Sequence, residues 1–180
     1  MQYPNGDSYE GNFLNDEFHG HGVYESKDLN YDGNWKEGFC HGEGKEKWKD
    51  GSIFQGTFYE GIKEGQGHYL FVDGSTYNGN WTNGKMNGFG VFKYQNGDIY
   101  EGQFKDGIRN GIGKITKESG VVFEGSYINE KRNGNGKLIM NNGDFYEGEF
   151  VEGKMNGKMV FTKRNGDKSV SHWKNGKKVK

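Results

Sequence analysis

Several residue types are scarce in this 180-residue chain, and each scarcity removes a class of protein. Alanine is absent and there is one proline, so the chain lacks the proline-rich Gly-X-Y triplets of collagen. The single cysteine, Cys40, excludes an internal disulfide framework, and without a secretory signal we expect a reducing, cytoplasmic location. No apolar run approaches the roughly 18 to 20 residues of a membrane-spanning helix.

The chain also lacks a large net charge, since it has 24 basic and 25 acidic side chains. The balance predicts no nucleic-acid partner and no bulk attraction to anionic lipid. The two ends differ, however. Residues 1–40 carry eight acidic and two basic side chains, a net of −6, whereas residues 163–180 carry seven basic and one acidic, a net of +6. Two chains that pair antiparallel would bring opposite charges together.

Glycine and aromatic residues are the features present in excess. The 33 glycines would usually indicate a disordered or fibrous chain, but an aromatic content of 16% argues against disorder. A repeat resolves the conflict, because a short aromatic-x-Gly-x-aromatic pattern recurs at intervals of 23 residues, the first interval being 22. The seven copies begin at Tyr9, Tyr31, Phe54, Tyr77, Tyr100, Phe123 and Tyr146. Counted from the first aromatic, every glycine of the chain falls at position three, eight, twelve, fourteen or twenty-one.

This spacing predicts β-hairpins. Aromatics at positions one and five flank a glycine at position three on one strand face, and glycines at twelve and fourteen leave room for rings over the second strand. Positions twenty and twenty-one, for example Asp50-Gly51 and Asn96-Gly97, match two-residue hairpin turns in which both residues have positive φ. We therefore predict an all-β fold: an elongated, twisted, single-layer antiparallel sheet of consecutive β-hairpins. Residues 1–8 are the tail of a preceding repeat, residues 9–168 are seven repeats, and residues 169–180 are a degenerate half-repeat.

The pattern Tyr-Glu-Gly-x-Phe-x-x-Gly-x-x-x-Gly-x-Gly, closed by Asp-Gly or Asn-Gly, resembles the MORN repeat from Tyr9 to Lys168. It departs from the pattern at Asp16 and Glu130, which replace the glycine of position eight, and at Met159, which replaces that of position fourteen. The resemblance implies the hairpin sheet just described, a MORN solenoid. MORN arrays occur in junctional membrane proteins, beside lipid kinase and methyltransferase domains, and in repeat-only cytoskeletal scaffolds.

The repeat-only composition, rich in Asn and lacking Ala, is most similar to the MORN scaffolds of apicomplexan parasites. That resemblance implies cytoskeletal partners, a role in cell division, and a cytoskeleton-associated, membrane-apposed location. The chain opens in mid-repeat, which predicts further repeats upstream. It holds no nucleophile motif, and its Gly-x-Gly segments are not followed by a helix, so we predict no enzymatic activity.

Three sets of residues are candidate sites. Histidine and cysteine cluster in the first two repeats, and such side chains are typical zinc ligands, supplied by one chain or shared between two. The alternative is that histidine is simply a common residue at these positions of the repeat. No cofactor is expected to be required. The set comprises His19, His21, Cys40 and His41. Basic residues recur in the predicted loop before the Gly-x-Gly, as phosphoinositide headgroup ligands or as solvated charges. These are Lys63, Lys85, Arg109, Lys131, Arg132 and Lys154.

The third set lies on the predicted edge strands, because an open sheet leaves unpaired backbone groups at both ends. We expect a homodimer through these edges, near Tyr9 and Phe13 at one end and His172 and Trp173 at the other. The sequence thus predicts a non-enzymatic scaffold that organises a cytoskeletal or membrane-apposed assembly. The alternatives are a phosphoinositide-binding membrane module or a targeting segment of a larger enzyme.

Overall fold

The computed structural model describes residues 1–179, which form sixteen β-strands and contain no helix. The strands are β1 (Ser8–Leu14), β2 (Glu17–Glu25), β3 (Leu29–Lys36), β4 (Phe39–Trp48), β5 (Ile53–Tyr59), β6 (Ile62–Leu70), β7 (Thr76–Thr82), β8 (Lys85–Lys93), β9 (Ile99–Lys105), β10 (Ile108–Thr116), β11 (Val122–Ile128), β12 (Lys131–Ile139), β13 (Phe145–Val151), β14 (Lys154–Thr162), β15 (Lys168–Lys174) and β16 (Lys177–Val179). No stretch of this part of the chain is a helix long and apolar enough to cross a membrane.

All sixteen strands belong to one open sheet, in which the strand order follows the chain from β1 to β16. The strand pairs are antiparallel, as expected for consecutive hairpins. This confirms the predicted all-β fold. The chain consists of two compact units, Met1–Gly88 and Phe89–Lys180. The last residue of the second unit, Lys180, lies outside the described residues.

The tight turn of each repeat is at positions seven and eight, so the assignment of that turn to positions twenty and twenty-one was wrong. In the third repeat Glu60 and Gly61 join β5 to β6, with φ of 47° and 77°, which is the type I′ geometry of a two-residue hairpin. The backbone N–H of Gly61 also donates to the carbonyl of Cys40 in the repeat before, at 2.8 Å. Gly38, Gly84, Glu130, Gly153 and Gly176 donate in the same way, so these turns are anchored to the previous repeat.

The Asp-Gly and Asn-Gly pairs of positions twenty and twenty-one lie in a longer connection between repeats. Between β4 and β5, Gly51 has a φ of 91° but Asp50 does not have a positive φ. The N–H of Gly51 donates to the carbonyl of Trp48 at 3.0 Å, and the N–H of Trp48 donates to the carbonyl of Ser52 at 3.0 Å. This is a three-residue loop with glycine in the left-handed position. The Asp50 carboxylate accepts the Ser52 N–H at 2.9 Å, which explains Asp or Asn at position twenty.

Rings of position one lie flat over glycines of the paired strand, as the spacing predicted. Phe54 is fully buried, and a Cβ added to Gly67 would lie 2.4 Å from its ring, a distance that only glycine permits. Gly56 and Gly67 are directly opposite each other in the register of β5 and β6. In four repeats the ring is a tyrosine whose hydroxyl donates to a backbone carbonyl, as from Tyr31 to Asn34 at 2.8 Å; the other three are Tyr9, Tyr77 and Tyr100.

The glycine of position twelve serves a different purpose from the one predicted. In β6, Gly65 has a φ of 73°, and a Cβ added there would meet only Thr57, at 3.6 Å. It lies where the register of β5 and β6 shifts, between the pairs Gly56–Gly67 and Phe58–Lys63. Glycine is therefore required at position twelve by the backbone conformation of a bulge, and not by a covering ring.

The seventh repeat shows what happens without the glycine of position fourteen. Met159 is fully buried and lies over Gly148, where an added Cβ would be 2.5 Å from its sulfur. Tyr146 is only half-buried, and its ring packs 4.6 Å from the Phe161 ring and 5.9 Å from the Trp173 ring. The methionine thus fills the space that a position-one ring fills in the other repeats.

Candidate binding surfaces

The aromatic face of the sheet is a ladder of rings from positions one and five. In the first unit the Tyr31 ring lies 5.3 Å from Phe58, and the Phe54 ring lies 5.1 Å from both Phe58 and Trp81. These pairs are edge-to-face, the arrangement that aromatic quadrupoles favour. Each ring therefore packs on its own repeat and on the next, which links neighbouring repeats into a continuous core.

Side chains of position ten cover this ladder, and three of them are predicted headgroup ligands. The Lys63 ammonium lies 4.7 Å from the Trp48 ring and 2.6 Å from the Glu46 carboxylate. The guanidinium of Arg109 lies 5.4 Å from the Tyr100 ring and that of Arg132 lies 5.1 Å from the Phe123 ring. All three are half-buried, and their cation–π contacts are part of the packing.

The other three predicted ligands, Lys85, Lys131 and Lys154, occupy position nine, directly after the type I′ turn, and are exposed. All six basic residues are in strands, so their placement in one loop was wrong. Positions nine and ten alternate across the sheet, so the six do not form a single basic surface, although Arg109, Lys131 and Arg132 line one cavity. Lys131 pairs with Glu152, and headgroup binding remains a prediction.

Three of the four predicted zinc ligands each face a different neighbouring residue, and the structure does not bring the four together as one metal site. His19 is opposite Asn12 in the register of β1 and β2, and His21 forms a 3.2 Å contact with Asp32. The His41 ring packs against Tyr59 at 5.3 Å. Within residues 1–179 no group of three or more His, Cys, Asp or Glu side chains is placed to hold a metal ion. Zinc therefore remains a prediction that requires a second chain to supply ligands.

Cys40 occupies position ten and faces the aromatic ladder, opposite Trp35. Desolvation by burial, and then the nearby Glu46 carboxylate, raise the pKa of its thiol to about 12. The thiol is consequently protonated at neutral pH. A protonated, half-buried thiol is a poor nucleophile and a poor metal ligand.

The ends of the sheet differ from the predicted edges. Beyond β15 lies β16, where Val179 pairs with His172 and Lys178 with Trp173, so these two predicted edge residues are covered and β16 is the last strand. At the other end β1 is the first strand, as predicted. The Tyr9 side chain is fully buried and its N–H bonds to the Met1 carbonyl, whereas Phe13 is 44% exposed.

The sequence prediction missed a row of exposed apolar side chains at positions six and nine, beside the type I′ turns. We call this set the turn-edge row. Its members are Leu14, Phe39, Tyr59, Ile62, Ile108, Ile128 and Val151. Phe39 is 55% exposed and Tyr59 56% exposed, and the Phe39 ring would touch a Cβ added to Gly61 of the next turn, at 3.8 Å. Apolar residues recurring at these two positions were the signal available in the sequence.

A cavity of about 310 Å³ lies on the aromatic face of the second unit. Its walls include Ile115 and Leu138 of position sixteen, Lys117 of position eighteen, and the ring of Tyr127. The corresponding residues of the third repeat are the larger Tyr69 and Phe71. Smaller side chains at these positions therefore leave a space in the second unit.

The fold and these surfaces define a class, that of tandem repeat proteins built from β-hairpins. The sequence profile of the MORN repeat matches seven consecutive segments: 9–30, 31–53, 54–76, 77–99, 100–122, 123–145 and 146–168. The chain belongs to the MORN repeat family. These repeats are typically protein- or membrane-interaction scaffolds, and the family is not known as enzymatic.

The proteins similar to the chain include Alsin and the SAS-4 TCP domain. Alsin of Rattus norvegicus is 49% identical and Alsin of Homo sapiens 46% identical, each over 43 residues, which is 24% of this chain and 3% of Alsin. The chain therefore spans a very small part of these relatives. The SAS-4 TCP domain of Drosophila melanogaster, solved in complex with a proline-rich motif of Ana2, has a TM-score of 0.56 at 13% identity and covers 86% of this chain and 84% of that one. At that identity the likeness concerns the fold alone.

Proposed function

We propose that this chain is a non-enzymatic scaffold that binds protein partners and a second copy of itself within a cytoskeletal or membrane-apposed assembly. The observation that carries the proposal is the turn-edge row, which places an exposed apolar side chain beside six of the eight type I′ turns, three in each unit. Exposed apolar side chains in a contiguous patch are typical of protein interaction sites.

The distribution of charge supports protein binding over lipid binding. Of the basic residues at positions nine and ten, Lys63, Arg109 and Lys131 form ion pairs with neighbouring carboxylates. Each basic residue near an anionic membrane contributes about 1 kcal/mol, and a paired one contributes less. The SAS-4 TCP domain, whose fold is similar, was solved in complex with a proline-rich motif of Ana2, and this supports a protein partner for the present chain.

The acidic first strands and the basic last strands support self-association. Antiparallel pairing of two chains closes into a dimer, whereas joining β16 of one chain to β1 of the next leaves open ends and forms polymers. We favour the closed dimer because the acidic end of each chain then lies against the basic end of the other.

The experiment replaces Phe39 and Ile62 by lysine, which occurs at positions six and nine of other repeats and is therefore compatible with the fold. Thr82→Lys, at position six of the fourth repeat, is the matched control. Sedimentation velocity should show a dimer for the parent chain and for the control, and a larger monomer fraction for Phe39→Lys/Ile62→Lys. A monomeric parent chain would contradict self-association, and an unchanged dimer would contradict the role of the row.

Vesicle sedimentation tests the lipid alternative. Vesicles of phosphatidylcholine with and without phosphatidylinositol bisphosphate should pellet little of the chain at physiological salt. Strong pelleting that depends on the phosphoinositide, and that is lost in Lys85→Gln/Lys154→Gln, would favour the membrane module instead.

A further inference from the structure

The cavity of the second unit contains a buried polar group that the protein does not satisfy. Tyr127 is 3% exposed, and its hydroxyl has no hydrogen-bond partner among residues 1–179. Four of the position-one tyrosines do satisfy this group, as Tyr100 does by donating to the Gln103 carbonyl at 3.1 Å. Tyr127 is also the one tyrosine at position five, where the other repeats carry Phe or Trp.

The Tyr127 side chain is part of the cavity wall, and the Arg109 guanidinium lies 5.3 Å from its ring. Desolvation by burial raises the pKa of Tyr127 to about 12, whereas the positive charges of Arg109 and Arg132, which line the same cavity, act to lower it. A buried hydroxyl without a partner costs folding free energy, so an unpaired hydroxyl on a residue of this cavity wall indicates a missing acceptor.

One cation at the cavity lacks a carboxylate. The other three are paired: Arg109 with Glu130 at 2.7 Å, Lys117 with Asp98 at 2.5 Å, and Lys131 with Glu152. Arg132 donates to the Gly153 carbonyl at 3.0 Å and lies over the Phe123 ring, but no carboxylate of residues 1–179 is within 4.0 Å of it. The four cations and three carboxylates leave a surplus of one positive charge.

We propose that this cavity binds a segment of a partner protein that presents one carboxylate beside a bulky aliphatic side chain. The carboxylate accepts hydrogen bonds from Arg132 and from the Tyr127 hydroxyl, and the aliphatic group packs on Ile115, Val121 and Leu138. Because the hydroxyl is closed off from solvent in the free chain, the side chains around it must move apart when the segment binds. A phosphate group fits less well, because the surplus is a single charge and the Glu130 carboxylate is also part of the wall. The inference rests on the proposed protein-binding function and names one site for it.

The probe is the capped tripeptide acetyl-Leu-Glu-Leu-amide, titrated into the full chain and followed by NMR of the isoleucine, leucine and valine methyl groups. The matched control is acetyl-Leu-Gln-Leu-amide, which keeps the shape and removes the charge. We expect the glutamine peptide to bind about tenfold more weakly, since a charge-assisted hydrogen bond is lost. Equal affinity for the two peptides, shifts outside the cavity, or tighter binding of inositol trisphosphate would overturn the proposal.

Two substitutions use residues that the same positions carry in other repeats, so the fold should tolerate them. Arg132→Met follows Met86 and Met155 at position ten and should weaken peptide binding about tenfold or more. Tyr127→Phe follows Phe104 at position five and should weaken binding severalfold while raising the urea midpoint of the free chain.

The control is Lys85→Gln, which removes an exposed cation of the first unit and should leave peptide affinity unchanged. Parent affinity in both Arg132→Met and Tyr127→Phe would contradict the site. That result would leave the dimer and its dependence on the turn-edge row intact, so failure of this inference is separable from failure of the proposed function.

Discussion

Gly67→Ala tests whether a single methyl group can disturb the aromatic ladder. The added Cβ would be 2.4 Å from Phe54 Cε2 and 3.0 Å from Trp81 Cδ1, whereas carbon atoms in contact are normally about 3.5 to 4.0 Å apart. The Phe54 ring must therefore move by about 1 Å. It is fully buried and packs at 5.1 Å against two other rings, so we expect a loss of about 1 to 3 kcal/mol of unfolding free energy.

A double-mutant cycle separates this clash from a general effect of alanine in a strand. Phe54→Ala alone should cost about 3 to 5 kcal/mol because it empties a buried site. Once the ring is gone, Gly67→Ala should cost less than about 0.5 kcal/mol, giving a coupling of about 1 to 3 kcal/mol. Urea unfolding of the four chains, followed by far-ultraviolet circular dichroism, measures the four free energies.

The matched control is Gly65→Ala, two residues earlier on the same strand. Its φ of 73° makes alanine unfavourable by about 1 to 2 kcal/mol, yet its nearest neighbour is Thr57 at 3.6 Å. That cost should be the same with and without the Phe54 ring. If Gly67→Ala costs the same in both backgrounds, the ring does not determine the glycine and the packing argument fails.

Three further predictions concern a turn, a carboxylate and the thiol. Glu60 has a φ of 47° in its type I′ turn, so Glu60→Asn should stabilise the chain by about 0.5 to 1 kcal/mol; an unchanged or lower thermal midpoint would count against this turn assignment. The hydrogen bond from Lys117 is the main cause that lowers the pKa of Asp98. The stabilisation that the ionised Asp98 carboxylate gives the folded chain is therefore complete above about pH 5, and it is lost as the pH falls below about 3.9 toward the lower pKa of the folded state. Asp98→Asn should therefore lower the urea midpoint at neutral pH, and its difference from the parent chain should close in acid; a difference that is independent of pH would refute this. Because burial raises the pKa of Cys40, iodoacetamide at pH 8 should alkylate the native chain far more slowly than the urea-unfolded chain, and equal rates would show an exposed thiolate.

The two turn types show where reasoning from the sequence reached its limit. Asn-Gly and Asp-Gly favour type I′ turns in isolation, and these pairs occur both at positions seven and eight, as in Asn83-Gly84, and at positions twenty and twenty-one, as in Asn96-Gly97. Only the first pair has positive φ at both residues. The register of the flanking strands decides between the two turns, and register depends on pairing across the sheet.

The sequence also did not distinguish the basic residues that are buried from those that are exposed. Lys63 and Lys85 are one position apart in the repeat, and their charges are equivalent in the sequence. The pleat places Lys63 over the Trp48 ring and leaves Lys85 exposed. The buried hydroxyl of Tyr127 was equally invisible, because a tyrosine at position five differs from phenylalanine only in whether a partner lies nearby.

The 23-residue period by itself determined the hairpins, the face that carries the rings, and the glycines of positions three and fourteen, because side-chain alternation and ring size are local properties of the chain. The tertiary structure alone decided which turn is tight, why position twelve is glycine, which cations cover the aromatic ladder, and where a cavity opens. Each of these depends on which residues of neighbouring strands are in contact. Those contacts depend on the register of the paired strands, which the repeat pattern alone does not specify.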